Sequence, residues 1–133
     1  MADPAAAVLE ANRRLLDAIA AGDWQAYRDL VAPDITCFEP EARGHLVEGL
    51  PFHEYYFKLP AAPSPTPRHV NTTVASPTVK MLSPDVALVA YVRLTQALDD
   101  AGRPVTRTSE ETRIWQKRGE QWRHVHFHRS MPS

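Results

Sequence analysis

Ser109-Glu110-Glu111-Thr112-Arg113-Ile114-Trp115, followed after a short turn by Trp122-Arg123-His124-Val125-His126-Phe127-His128-Arg129-Ser130, decides how this chain folds. The two runs flank Lys117-Arg118-Gly119-Glu120. Period-2 runs around such a tetrapeptide predict a β-hairpin, with Gly119 supplying the left-handed turn position. Alternation puts Glu111, Arg113 and Trp115 on one face of the first strand. On the second it groups Val125, Phe127 and Arg129, and sets Trp122, His124, His126 and His128 on the opposite face. A three-residue turn brings Arg113 and Arg129 to the same side of the sheet. An unpaired buried charge costs several kcal/mol, so two cations beside Trp115 and Phe127 require an anion, either protein carboxylates or a ligand.

Upstream of the hairpin, Val86 to Ala97 is the clearest strand. Leu88, Ala90, Val92 and Leu94 fall on one face, and Val89, Tyr91, Arg93 and Thr95 on the other. Both faces are largely apolar, which predicts cover on both sides. Asp99-Asp100-Ala101-Gly102 turns the chain back. Arg68 to Met81 alternates as a further strand, with Pro77 implying a bulge or an edge position. Pro60 to Pro67 holds four prolines and reads as a stiff connection.

The N-terminal half reads as helices. Asp3-Pro4 is an N-cap followed by proline at the first helical position, and Val8, Leu15, Leu16 and Ile19 share a face until Gly22. Asp23 caps a second helix with Trp24, Tyr27, Leu30 and Val31 as its apolar side, ended by Pro33. Ile35 to Pro40 is a short strand leading through Glu39-Pro40-Glu41 and Gly44 to Leu46-Val47-Glu48-Gly49, a hairpin or strand pair. Pro51 opens a third helix whose stripe is Phe52, Tyr55, Tyr56 and Leu59, with His53 beside it in line with Phe57. Helices first and long antiparallel strands last predict one α+β domain over residues 1–133, helices closing one side of a curved sheet.

The totals narrow the function. A net charge of −1 gives no long-range attraction to nucleic acid or anionic membrane. Cys37 is the only cysteine, which excludes an internal disulfide and suits a reducing compartment. No apolar run approaches spanning length and the N-terminus lacks a basic leader, so a cytoplasmic protein is expected.

Three arginines stand out, each with an aromatic neighbour on its own face: Arg93 with Tyr91, Arg113 with Trp115, and Arg129 with Phe127. They either form a pocket for a carboxylate or phosphate, which suits the planar guanidinium fork, or pair internally with Glu39, Glu41 or Glu111. Both readings stand open on the residues alone. His124, His126 and His128 have a spacing that suits a metal, yet no carboxylate or cysteine is placed to complete the shell, so no metal and no cofactor are expected. His53 with Glu39 or Glu41 has the make-up of an acid–base pair, but nucleophile, P-loop and dinucleotide motifs are lacking, and no catalytic residue is assigned.

These residues resemble one family. Gly22-Asp23 with Ala26-Tyr27, Phe38-Glu39-Pro40-Glu41-Ala42 with Gly44, Leu46-Val47-Glu48-Gly49, Phe52-His53, Tyr56-Phe57, Ala90-Tyr91 and Arg93-Leu94-Thr95-Gln96 are similar to the association (hub) domain of calcium/calmodulin-dependent protein kinase II. Ser109 to Arg113, Trp115, Trp122 and Val125 to Ser130 complete a resemblance running from about Leu9 to Ser130. It implies the cone-shaped α+β fold of the nuclear-transport-factor-2-like superfamily and a homo-oligomer, either a dimer or a larger ring. It also implies a ligand pocket lined by Arg93, Arg113 and Arg129, with His53 near its mouth and Tyr56, Tyr91, Trp115 and Phe127 as further wall. Leu59-Pro60-Ala61-Ala62-Pro63 departs from the family, whose members carry a pocket-covering tryptophan there. Kinase activity and calmodulin binding are not expected, because the kinase elements are missing from this sequence. The composition suits a free-standing, bacterial homologue. The expected function is a non-enzymatic, self-assembling hub whose pocket takes a small carboxylate. The alternative is a small-molecule enzyme of the polyketide-cyclase or ketosteroid-isomerase type using the same cavity.

Overall fold

Asp3 accepts a hydrogen bond from the Ala5 N–H at 3.1 Å and Gly22 takes φ 65°, fixing both ends of the first helix, α1 (Pro4–Ala21). These are the ends its caps predict, since an Asx side chain satisfies a free N–H and glycine tolerates the left-handed closing residue. The structure, a computed structural model, describes residues 3–59 and 70–131. The proline-rich connection at 60–67 therefore lies outside the described residues.

Asp23 caps α2 (Trp24–Leu30) by accepting from the Ala26 N–H. This helix ends earlier than its stripe predicts. Val31 is already extended and begins β1 (Val31–Phe38), with Pro33 inside the strand. Proline disfavours helix in the residue before it, and Val31, Ala32, Ile35 and Cys37 gain more from burial in the sheet than from a further helical turn. The register of β1 is irregular between Val31 and Thr36, where Pro33 cannot donate to a ladder. A 3-10 turn (Pro40–Ala42) leads to β2 (Val47–Glu48) and α3 (Pro51–Lys58).

The third helix corrects an expectation. Tyr55 and Leu59 of its supposed apolar stripe are 62% and 50% exposed, whereas His53 is buried. An eight-residue helix has room for one contact edge, and this one uses His53 and Phe57. The Phe57 ring lies 4.8 Å from Tyr27 and 5.4 Å from Trp24, so α2 selects the aromatic edge over the phenols, which keep their hydroxyls in water.

The remaining strands are β3 (Asn71–Ser83), β4 (Val86–Leu98), β5 (Pro104–Arg118) and β6 (Gln121–Ser130). Together they form one six-stranded sheet in the order β2-β1-β6-β5-β4-β3, antiparallel except between β1 and β6. The edge strand β3 skips register between Ala75 and Thr78, with Ser76 at φ 52°, which is the bulge Pro77 implied. Inside the sheet, α1 supplies Val8, Leu15 and Leu16 to a core shared with Ile35, Val89, Trp115 and Phe127. The Trp115 Nε1–H donates to Asn12 Oδ1 at 3.1 Å, so the core's largest ring is also hydrogen-bonded.

Only the inner face is closed. Ala87, Val89 and Tyr91 of β4 are buried beneath the helices, but Leu88, Ala90 and Leu94 are half-buried and Val92 is 37% exposed. Cover on both sides is therefore incomplete within the described chain.

The hairpin departs from strict alternation. Arg118 pairs with Gln121, so the loop is two residues, with Gly119 at φ 63°. The register then slips between Ile114 and Trp115: Trp115 faces His124, Ile114 faces His126, and Val125 is left as a bulge. A two-residue turn plus one bulged residue does what a three-residue turn would have done, and sets Glu111 opposite Arg129 and Arg113 opposite Phe127. His124 consequently turns inward and is fully buried, away from His126 and His128, so the three histidines do not share a face.

Candidate functional site

Alternation along β4 and β5, and along β6 past its bulge, sends Arg93, Arg113, Phe127 and Arg129 into the space between sheet and helices. They line a cavity of about 320 Å³ together with Ile19, Tyr27, Glu39, Glu41, His53, Tyr56 and Phe57. All three arginines line this one cavity, and Tyr56 lines it with them. Tyr91 and Trp115 are buried behind the lining, acting as support and not as wall. Sequence reasoning did not assign Ile19, Tyr27 and Phe57 to the lining, although helical spacing puts Ile19 and Tyr27 on inner faces; Phe57 stands outside the expected stripe of α3, in line with His53.

The arginines are not alone. Glu111, fully enclosed, takes Arg113 Nη2 at 2.8 Å and lies 2.8 Å from Arg93 Nε. It also accepts from Tyr91 Oη at 2.8 Å and Ser109 Oγ at 2.7 Å. Burial favours the neutral Glu111 acid, but Arg113 and Arg93, with bonds from Ser109 and Arg113, outweigh it and hold the carboxyl at about 2. Arg113 donates further to Tyr91 Oη at 2.8 Å, and its guanidinium carbon stands 4.6 Å above the Phe127 ring. That cation–π contact completes its shell. The Arg93 contact is looser, since its Nε–H is not aimed at the carboxylate and has no hydrogen bond among the described residues.

At the other end, Arg129 Nη2 binds the carboxylate of Glu41 and lies 3.6 Å from Glu39 Oε2. Burial and the neighbouring Glu41 push the Glu39 carboxyl up, and Arg129 partly offsets this. The six charges therefore cancel as a set but not locally. One carboxylate serves two arginines beside Arg93 and Arg113, and two carboxylates serve one arginine at Arg129. The cavity has a cationic end and an anionic end.

His53 sits between them. It is 6% exposed, so it forms the floor and not the mouth of the cavity. Burial, with the Arg113 charge, lowers it to about 4, leaving the ring neutral. Its Nδ1 is 3.8 Å from Glu39 Oε1, too far for a hydrogen bond, and its Nε2 is 3.8 Å from Cys37 Sγ. A neutral imidazole near a carboxylate has the composition of a general base, but its basicity is set far below neutral pH.

Fold, cavity and sheet match one group of known proteins. The family model described as calcium/calmodulin dependent protein kinase II association domain matches residues 5–133. The chain is 45% identical over 123 residues to the calcium/calmodulin-dependent protein kinase type II subunit delta of Oryctolagus cuniculus. That match covers 92% of this chain but 23% of the relative's length. Among solved structures, the hub homology domain of Chlamydomonas reinhardtii is 53% identical with a TM-score of 0.92, over 98% of this chain and all of that one. At 18% identity and a TM-score of 0.75, a Streptomyces avermitilis protein of the nuclear-transport-factor-2-like family, over 96% of this chain and 95% of that one, shares the fold alone. The chain belongs to the calcium/calmodulin-dependent protein kinase II association-domain family, an α+β fold of the nuclear-transport-factor-2-like type.

Proposed function

We propose that this domain is a self-assembling hub, and that its cavity holds a small carboxylate at the cationic end. The observation that carries the assembly reading is the outer face of the sheet. Leu88, Ala90, Val92 and Leu94 form an apolar stripe along β4, widened by Ile114 of β5 beside Leu88, half-buried to exposed in the single chain. A patch of this kind on a central sheet favours a second copy against it. Light scattering coupled to gel filtration at micromolar concentration is expected to give at least a dimer. A clean monomer overturns the reading.

The carboxylate reading rests on the local imbalance of charge. Glu111 neutralises one of two neighbouring arginines, and Arg93 Nε–H has no aimed acceptor among the described residues. A small monoanion supplies the missing charge and can also meet Arg129, which is only partly enclosed. Binding to the folded state alone raises stability, by about 2.7 kcal/mol at a hundredfold excess over Kd. A panel of short carboxylates should therefore raise the melting temperature of the wild type. Arg93→Ala and Arg129→Ala should abolish the rise, and Arg129→Lys should recover part of it, since it keeps the charge but loses the fork. Equal shifts in all four proteins would remove these arginines from the site.

A further inference from the structure

We infer that Cys37, His53 and Glu39 form a site for a divalent transition metal, with zinc the best match, at the anionic end of the cavity floor. One ligand atom from each of the three residues lies within 4.8 Å of the other two. The set is the mixture that suits zinc: a soft thiolate, an imidazole and a carboxylate. Sulfur and nitrogen on one tetrahedral zinc are about 3.5 Å apart, from bonds of about 2.3 and 2.0 Å. The Cys37 Sγ to His53 Nε2 distance of 3.8 Å is close to that spacing.

Local structure holds the ligands in place. Cys37 and Glu39 are two residues apart at the end of β1, so alternation turns both toward the interior. The first turn of α3 sets His53 against them, where it is packed between Tyr27, Phe52 and Phe127. Glu39 and His53 line the cavity and Cys37 lies in the layer behind, so a metal held by the three presents its open position to the cavity. Three protein ligands with one open position is the arrangement of zinc sites that bind exogenous groups.

Charge favours the same place. Glu39 and Glu41 share Arg129, which leaves a surplus of negative charge where the metal would sit. A small turn of the Glu39 carboxylate toward the Cys37–His53 pair brings it onto the metal, and Arg129 keeps Glu41. The competing reading of the same trio is a nucleophilic thiol–imidazole–carboxylate relay. It is disfavoured because the Cys37 thiol is fully buried and pushed up to about 12, the opposite of an activated nucleophile. A coordinating metal displaces that proton outright, so the same burial does not oppose ligation. The site does not depend on whether the cavity takes a carboxylate.

The test uses the whole chain, freed of metal and titrated with Co²⁺ alone. The wild type is expected to bind one cobalt per chain, with a thiolate-to-cobalt charge-transfer band in the near ultraviolet and the intense visible bands of tetrahedral cobalt. Cys37→Ala, a small apolar replacement at a buried strand position, should lose the charge-transfer band. Glu39→Gln should keep the fold and weaken binding by about tenfold or more. Zinc should raise the melting temperature of the wild type and leave that of Cys37→Ala unchanged. Absence of the band at millimolar cobalt would overturn the site. An identical spectrum from Cys37→Ala would overturn it too, by placing the metal on other imidazoles.

Discussion

Strand β5 carries Glu111, Arg113 and Trp115 on one face and Thr112, Ile114 and Gln116 on the other, one residue apart in sequence and opposite in environment. The inner three are buried, and their polar atoms bond to one another, to Tyr91 and to Asn12. The outer three are half-buried and face no other element of the described chain. The polar face is thus the enclosed one, and the more apolar face of β4 is the open one. A charged group can be enclosed only if its partner comes with it, and here Glu111 comes with Arg113. An apolar face left open is the surface on which the proposed assembly would act. Inner-face substitutions should therefore alter the fold and its ligands, and outer-face substitutions the assembly.

The largest effect is expected at Glu111. Glu111→Ala leaves the Arg113 charge buried at 2% exposure with a phenol, an imidazole and a ring for company. Removing one partner of a buried pair costs about 3–5 kcal/mol. Urea unfolding should show a loss of that order. The double variant Glu111→Leu with Arg113→Met should be more stable than Glu111→Ala, because it removes the uncompensated charge along with its partner. If the double variant is the weaker of the two, the network contributes more than charge neutralisation.

Much of this inner face was legible in the sequence. Period-2 spacing puts Arg113 and Arg129 on one side of the sheet and gives Arg93 an aromatic neighbour on its own face, with Glu111 among the internal partners on offer. The caps of α1, the bulge at Pro77 and the turn at Gly119 were also readable, because each depends on residues whose backbone or capping chemistry is local. The bulge at Val125 was not. Histidine, valine and phenylalanine alternate without interruption through Trp122 to Arg129, so either phase is chemically plausible, and only pairing with β5 across the sheet selects one. The end of α2 and the buried edge of α3 were misread for a related reason. In both, tertiary burial of Val31 and of His53 overrides a helical stripe that looks better in isolation.

A smaller and graded effect is expected from pH, again on the inner face. His53 is lowered to about 4, and burial together with Arg113 lowers His124 well below its ordinary value. His124 faces Arg113 from β5, the Trp115 ring, the Phe127 ring on its own strand and His53 from α3, with no carboxylate among these neighbours. Both rings are neutral in the fold, and both take up a proton near 6.5 once unfolded. Below that pH the unfolded chain binds more protons than the native one, so stability is present above 6.5 and is lost as pH falls toward 4. The slope is at most about 1.4 kcal/mol per pH unit for each histidine. Glu111, held at about 2, adds its own loss only below its ordinary value of 4.5. Melting temperature measured from roughly pH 7.5 to 5 should fall on the acid side, and His124→Gln should reduce the slope without abolishing it. A flat profile in the wild type would mean that neither ring is held neutral in the fold.

The smallest effect on the single chain is expected on the outer face, and there it separates fold from assembly. Ile114 lies on β5 with Leu88 of β4 and His126 of β6 directly beside it. None of its immediate sheet partners is a carboxylate, so a lysine placed there finds no ion pair across the ladder. Its stem can lie along Leu88 and its ammonium can reach water, because the face is open. The cost to the isolated chain is then the difference in strand preference and lost packing, about 1 kcal/mol or less. The cost to a face-to-face contact is far larger, because each copy would bury an ammonium against its partner with nothing to pair it. Ile114→Lys is therefore expected to keep the wild-type far-UV spectrum and a cooperative melt while shifting the light-scattering mass downward. The comparison sharpens if its melting temperature no longer rises with protein concentration, as an assembly-linked value does. It breaks if Ile114→Lys assembles like the wild type, since the outer face would then be open for another reason. It breaks equally if the chain unfolds outright, since the two faces would then not be separable at all.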